Sequence, residues 1–438
     1  MRKRKIKAIL LMATAVIFAF TACGKKEESS VAEAVESSVE ESVESSVEES
    51  VESAAEITPE SIPTEEIPDG YVKSILTGEY VTEEIGTRRP VAFMIDNVKG
   101  AFPHYGTSRA SVIYEAPVEA DLTRECAIFE SWDDLDRIGS MRSCRDYFIS
   151  YAAGFDSIYC HYGQAAYALP YLESDNVDNI SGLADYGGKV YYRASDISAP
   201  HNAYASADGV KAGIEYLGYD TTLPTDYKGS FNYAWVGQEV DLSAGADATY
   251  VATGYANSHS WFEYNAEEGV YYRFQYGAAE MDGATGEQLK TKNIILEYEN
   301  GTLYDTSAYV HFDTTSGGKG KYISNGKAVD ITWEREDFYS PAKYYLADGS
   351  ELTMNTGKTW VCIIKNKNLG DCVMGTSADT ATCVVDEATL AIAVQENADW
   401  ETEFKANETA YRAELDQLLA DELASHGGKT KVESALYK

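Results

Sequence analysis

The sequence predicts an α+β protein: an N-terminal α/β domain with a mostly parallel sheet, then an antiparallel β-rich domain and a C-terminal helix. Three observations predict it. Between about residues 70 and 222, apolar runs of strand length alternate with stretches of helical periodicity. From about 225 to 375, short apolar runs are broken by Gly, Asn and Asp turns. Beyond 388 the apolar residues return to helical spacing.

The chain starts with Arg2, Lys3, Arg4, Lys5 and Lys7, followed by an apolar core from Ala8 to Phe20. Basic residues before a short apolar run form an export signal, here residues 1–22. Thr21 and Ala22 precede Cys23 and Gly24, as in the bacterial lipobox, with Phe20 where Leu is usual. Cys23 is therefore the expected lipidation site, carrying acyl chains of palmitate type. Two or three such chains anchor stably where one is marginal. The expected location is the outer face of the cell membrane. Residues 23–68 are a tether of Val, Glu and Ser closed by Pro59, Pro63 and Pro68. Its valines recur every four residues from Val31 to Val51 and drift around a helix without forming a stripe.

The N-terminal domain is expected over 69–222. Its predicted strands are 90–96, 112–115, 124–131, 157–161 and 189–193, and its helices 144–153, 164–172 and 207–217. The β-rich domain is expected over 223–387, with strands at 293–298, 302–304, 322–324 and 359–364 and a turn at Asn325-Gly326. Residues 388–438 form a helical tail, with Tyr411, Leu415, Leu418, Leu419 and Leu423 at helical spacing.

Composition narrows the function. Net charge is −35; the signal carries +5 and residues 24–67 carry −12, leaving −28 on the body. Such a body repels nucleic acid. Apart from Cys23, the cysteines divide as Cys126, Cys144, Cys160 and Cys362, Cys372, Cys383. Three per domain is no tidy disulfide framework, although Cys362 or Cys372 could pair with Cys383. No Cys-x-x-Cys, Walker A, EF-hand, Gly-x-Ser-x-Gly or His-Glu-x-x-His motif occurs, so no metal set and no cofactor is expected.

The residues that could carry chemistry gather at predicted strand ends and one helix start. Arg142 and Arg145 flank Ser143, read as the N-cap of a helix with Asp146 three residues on. Positive charge is disfavoured there by a few tenths of a kcal/mol per group. An anion would be held well by the same amides and guanidinium groups. Asp96, His161 and Arg193 would project beyond the carboxyl ends of strands, where open α/β sheets collect ligands. Arg124, Asn97, Glu119 and Asn202 complete the candidate ligand set. Asp96, His161 and His201 are the candidate acids and bases. Arg124 and Arg193 could instead simply pair with Asp121 and Asp196.

Several segments resemble the YerB-like bacterial lipoproteins, whose extracytoplasmic module has separate N- and C-terminal parts of unknown function. They are 89–97, 110–115, 122–124, 138–145, 155–163 and 199–202, with 316–320, 325–327, 332–333 and 355–361 in the C-terminal part. The chain departs at Ala120-Asp121, where the family tends to Gly-Gly, and at Ser140-Met141, where it tends to Pro-Val. The resemblance implies an envelope lipoprotein and brings no established activity. Two functions stay open. One is a non-catalytic factor binding a cell-wall polymer, precursor or envelope protein through its arginines. The other is a phosphotransferase or hydrolase acting on a lipid-linked precursor with Mg or Ca at Asp96 or Glu119, analogous to the LytR-CpsA-Psr enzymes.

Overall fold

The run Val-Ala-Phe-Met-Ile-Asp forms the strand Val91–Asp96, and all six residues are buried. Burial on both faces removes the need for alternating polarity. Val91, Phe93 and Ile95 enter one core and Ala92 and Met94 the other. The computed structural model describes residues 65–304 and 309–432. The expected export signal, Cys23 and nearly all of the tether lie outside the described residues.

Among the described residues, the 91–96 strand sits in an 11-stranded sheet. From one edge its order is Ala246–Asp247, Lys327–Arg335, Gly318–Ser324, Asn293–Glu299, Thr359–Lys365, Val112–Pro117, Thr123–Phe129, Val91–Asp96, Ile158–His161 and Asn179–Ser181. Ala342–Leu346 also pairs with 327–335. The N-terminal part is mixed, not mostly parallel as expected. Strand 123–129 runs antiparallel to both 112–117 and 91–96. Residues 118–122 are too few for a crossover, so the chain must turn back. Parallel pairing appears only where a longer path is available. It joins 91–96 to 158–161, and 158–161 to 179–181 after the helix Leu169–Glu173.

The boundary expected at 222/223 is bridged by the sheet itself. Strand 359–365 lies between 293–299 and 112–117, parallel to both. From Glu66 onward the chain is one compact unit. A second, seven-stranded sheet includes Tyr250–Ala252, Trp261–Asn265 and Val270–Gln275, all antiparallel. It lays Val251, Phe262 and Tyr271 on the core that holds Phe93 and Phe129, and Phe262 meets Trp360 edge-on at 5.5 Å. The helix Asp146–Ala153 and Leu415 of the tail belong to the opposite core.

Local signals set the remaining helices. Ala207–Leu217 starts where Ser206 Oγ accepts from the Gly209 N–H at 3.1 Å, and stops at Gly218 in the left-handed region. The tail helix, Glu387–Ser425, is capped by Asp386, which accepts from the Thr389 N–H at 2.7 Å. Of its expected apolar stripe only Leu415 is fully buried. Among the described residues no helix is long and apolar enough to cross a membrane.

The six described cysteines are all free thiols. Burial pushes Cys144 and Cys160 up to about 12, so they stay protonated packing groups.

Glu130 gives this fold a pH dependence. It is 7% exposed and accepts a 2.6 Å hydrogen bond from Ser74 Oγ. Burial pushes its carboxyl up to about 7, with Ser74 opposing. A raised carboxyl favours the folded state at low pH; that stability is lost as pH rises through about 7. Glu130→Gln should therefore raise stability at pH 8 by roughly 1–3 kcal/mol and leave it little changed near pH 4. Urea midpoints of both proteins across that range check this.

Candidate functional site

The short return from 112–117 to 123–129 places Asp96 opposite Arg124. The loop after Gly139 then runs past the same strand end. The Arg142 N–H donates to the Met94 carbonyl at 2.8 Å, and the Asp96 N–H to Ser140 at 2.8 Å. Backbone pairing alone therefore brings Asp96, Arg124, Arg142 and Arg145 to one place.

Asp96 is 1% exposed, and its Oδ2 meets a guanidinium and an imidazole. Arg142 Nε is 2.9 Å away and His201 Nδ1 2.6 Å away. The Arg142 and His201 side chains remain 26% and 22% exposed, so this end of the cluster reaches solvent. Arg145 grips Glu119 with two hydrogen bonds, each 2.6 Å. This fork-to-fork geometry is the strongest form of the pair. Burial would raise the Glu119 carboxyl, but the hydrogen bonds and charge of Arg145, helped by Arg124, hold it below its usual value. Arg124 donates to the Ser143 carbonyl. Burial, with Arg145 and Arg142 alongside, pushes its guanidinium down to about 10 despite Glu119 and Asp96.

The helix start differs from expectation. The helix runs Asp146–Ala153 with Arg145, not Ser143, at the N-cap position and no side-chain cap. Ser143 Oγ instead donates to the Tyr162 carbonyl at 3.3 Å. The two arginines escape the helix end by turning toward Asp96 and Glu119. Asp146 supplies the negative charge in the first turn, and Tyr304 donates to it at 2.5 Å.

Other expected site residues lie elsewhere. His161 is fully buried, with Nδ1 2.9 Å from the Gly163 carbonyl and Nε2 3.2 Å from Asn179 Oδ1. Burial lowers its pKa, with Gly163 and Asn179 opposing, so it is a neutral core residue. Asn97 is buried too, donating to Glu115 at 3.0 Å and to Thr123 at 2.8 Å. Arg193 pairs with Asn202 at 2.9 Å and lies over the Tyr162 ring at 4.5 Å. Asp196, its alternative partner, is taken by Arg137 at 2.8 Å.

A second polar group escaped the sequence reading. On the sheet face below Asn97, Glu115 and Glu125 stand directly opposite each other, both fully buried. Arg273 pairs with Glu115 and lies 3.5 Å from Glu280, while His104 faces Glu280 and Glu125. Glu115 and Glu125, acids within apolar strands, were the legible signal.

Residues 76–220 match the N-terminal domain of a protein family of unknown function, DUF3048, and residues 249–361 match its C-terminal domain. A curated protein of Bacillus subtilis (strain 168) named "Putative lipoprotein YerB" is 31% identical over 298 residues, covering 67% of this chain and 86% of that protein. The crystal structure of YerB protein from Bacillus subtilis aligns with a TM-score of 0.60 at 28% identity, covering 71% of this chain and 99% of that one.

Glu119→Ala should cost about 1–3 kcal/mol at pH 7, because it strands the buried Arg145 charge beside Arg124. The depressed Glu119 carboxyl makes that contribution full above the ordinary carboxylate range and lost as pH falls below it. Thermal midpoints of variant and parent should therefore converge in acid.

Proposed function

The chain belongs to the DUF3048 family of YerB-like two-part proteins, and on that premise we propose that it is a membrane-anchored envelope lipoprotein that binds an acidic ligand. The binding groups are Arg124, Arg142 and Arg145. Cys23 carries the lipid, and the body works on the extracytoplasmic face. The ligand is a phosphate- or carboxylate-bearing wall polymer, precursor or envelope protein.

One observation carries this reading. Three guanidinium groups gather around only two carboxylates, in a protein whose net charge is −35. An added anion would relieve the crowding that pushes Arg124 down to about 10. The partly exposed Arg142 is the edge an anion would reach first.

Arg142→Ala tests it without touching the Arg145–Glu119 pair. Losing one charge-assisted contact should weaken binding to wall fragments or lipid-linked precursors by roughly tenfold or more in calorimetric titration of the full chain. Unchanged affinity would remove the proposal.

The Asp96–His201 contact supports a second reading. A proton on Nδ1, held by Asp96, leaves Nε2 as an acceptor, the arrangement of a general base. His201 could then activate a water against a lipid-linked diphosphate. Asp96 is already gripped by a guanidinium and an imidazole, which disfavours it as the ligand of a Mg or Ca ion. His201→Gln should abolish turnover of such a substrate while binding persists; absence of turnover by the parent protein favours binding alone.

A further inference from the structure

We infer that His104, Glu125 and Glu280 form a buried site for a divalent transition-metal ion, Zn²⁺ foremost, separate from the arginine cluster. All three residues are within 1% of full burial, and the three donor atoms lie within 4.8 Å of one another.

Geometry makes the first argument. His104 Nδ1 is 3.2 Å from Glu280 Oε1 and 3.6 Å from Glu125 Oε2. Two ligands on a tetrahedral zinc with bonds of 2.0–2.2 Å stand about 3.3–3.6 Å apart. The other ring nitrogen, Nε2, donates to the Asp96 carbonyl at 2.8 Å. That bond fixes the tautomer and aims the Nδ1 lone pair at the two carboxylates. Metal-binding histidines are commonly oriented by such a backbone contact.

The second argument is satisfaction. Nδ1 and both oxygens of Glu125 and of Glu280 are buried and form no hydrogen bond. Among the described residues, the ion-pair partner of Glu125 is His104. Two carboxylates facing Nδ1 in a dry core call for a positive centre among them, either a metal ion or the proton that Glu125 and Glu280 favour on His104 against its burial.

The third is charge. Arg273 pairs with Glu115 and reaches Glu280 only at 3.5 Å. In the metal-bound form, with His104 neutral and three glutamates ionised, one arginine leaves two negative charges, which a dication neutralises. Without an ion, burial pushes the Glu125 and Glu115 carboxyls up and protons take its place. One nitrogen and two carboxylates form a mixed donor set, which suits zinc and its neighbours better than the all-oxygen ions Ca²⁺ and Mg²⁺. Because the site is closed, the ion would enter as the chain folds.

The test uses the full chain, refolded from denaturant with or without added Zn²⁺ and then desalted. Elemental analysis should find a stoichiometric ion only in the first sample, with a higher thermal midpoint. Co²⁺ in its place should give the visible absorption of a low-coordinate site. Glu125→Gln and His104→Gln, checked for folding by circular dichroism, should lose the ion and the absorption, whereas Glu130→Gln should keep both. A folded parent chain without stoichiometric metal, and with the same midpoint in Zn²⁺, Mn²⁺ or Co²⁺, would overturn the proposal and leave protons as the balancing charge.

Discussion

The parallel pairing of Thr359–Lys365 with Val112–Pro117 is the constraint on which the rest depends. It converts two sequence segments into one sheet in which the 112–117 strand is paired on both edges and buried on both faces. One face carries the helix that positions Arg145, and the other carries Arg273 and Phe262 of the second sheet. Without that pairing Glu115 would lack both Arg273 and the Trp360 indole, which lies 3.3 Å away. The buried cluster thus depends on strands from the other half of the chain.

The two clusters solve opposite problems. At the end of the 91–96 strand, cations outnumber anions and part of the group meets water, so charge is screened and exchangeable. Inside the sheet, acidic side chains outnumber basic ones and nothing is exposed. Burial amplifies such an imbalance, because interactions weaken far less with distance in a dry interior. Asp96 lies between them: its side chain serves the first cluster and its carbonyl orients His104 for the second.

Most strands were legible because they are long apolar runs, and 91–96, 112–117, 123–129 and 158–161 fall close to the segments expected. Their directions were not, since a run of Val and Ile carries no sign of orientation. The five residues from 118 to 122 were the usable clue. Asp96 and His201 were legible as candidate acids or bases and Arg142 as a candidate anion ligand, and the structure brings the three into contact. His161 was misplaced because 179–181 adds beyond 158–161, making an apparent edge an interior. Ser143 resembled a cap, but its hydroxyl found Tyr162 instead. Arg273 and Glu280, about 150 residues away from Glu125, left no local trace of their meeting with it.

The tail also returns to the first half. The Lys431 and Val432 amides donate to Glu173 at 2.6 and 3.0 Å, and Tyr171 meets Tyr411 at 3.3 Å between hydroxyl oxygens. Together with the late arrival of strand 359–365, this gives the chain an order of assembly. As it emerges N-terminus first, the 112–117 strand must wait for about 250 further residues before its neighbour exists. The sheet therefore keeps an unpaired edge at the 112–117 strand until the 359–365 strand has been made. Until then that edge offers its free N–H and C=O groups to any passing strand, so the pairing that joins the two halves is also where mispairing threatens the folding chain.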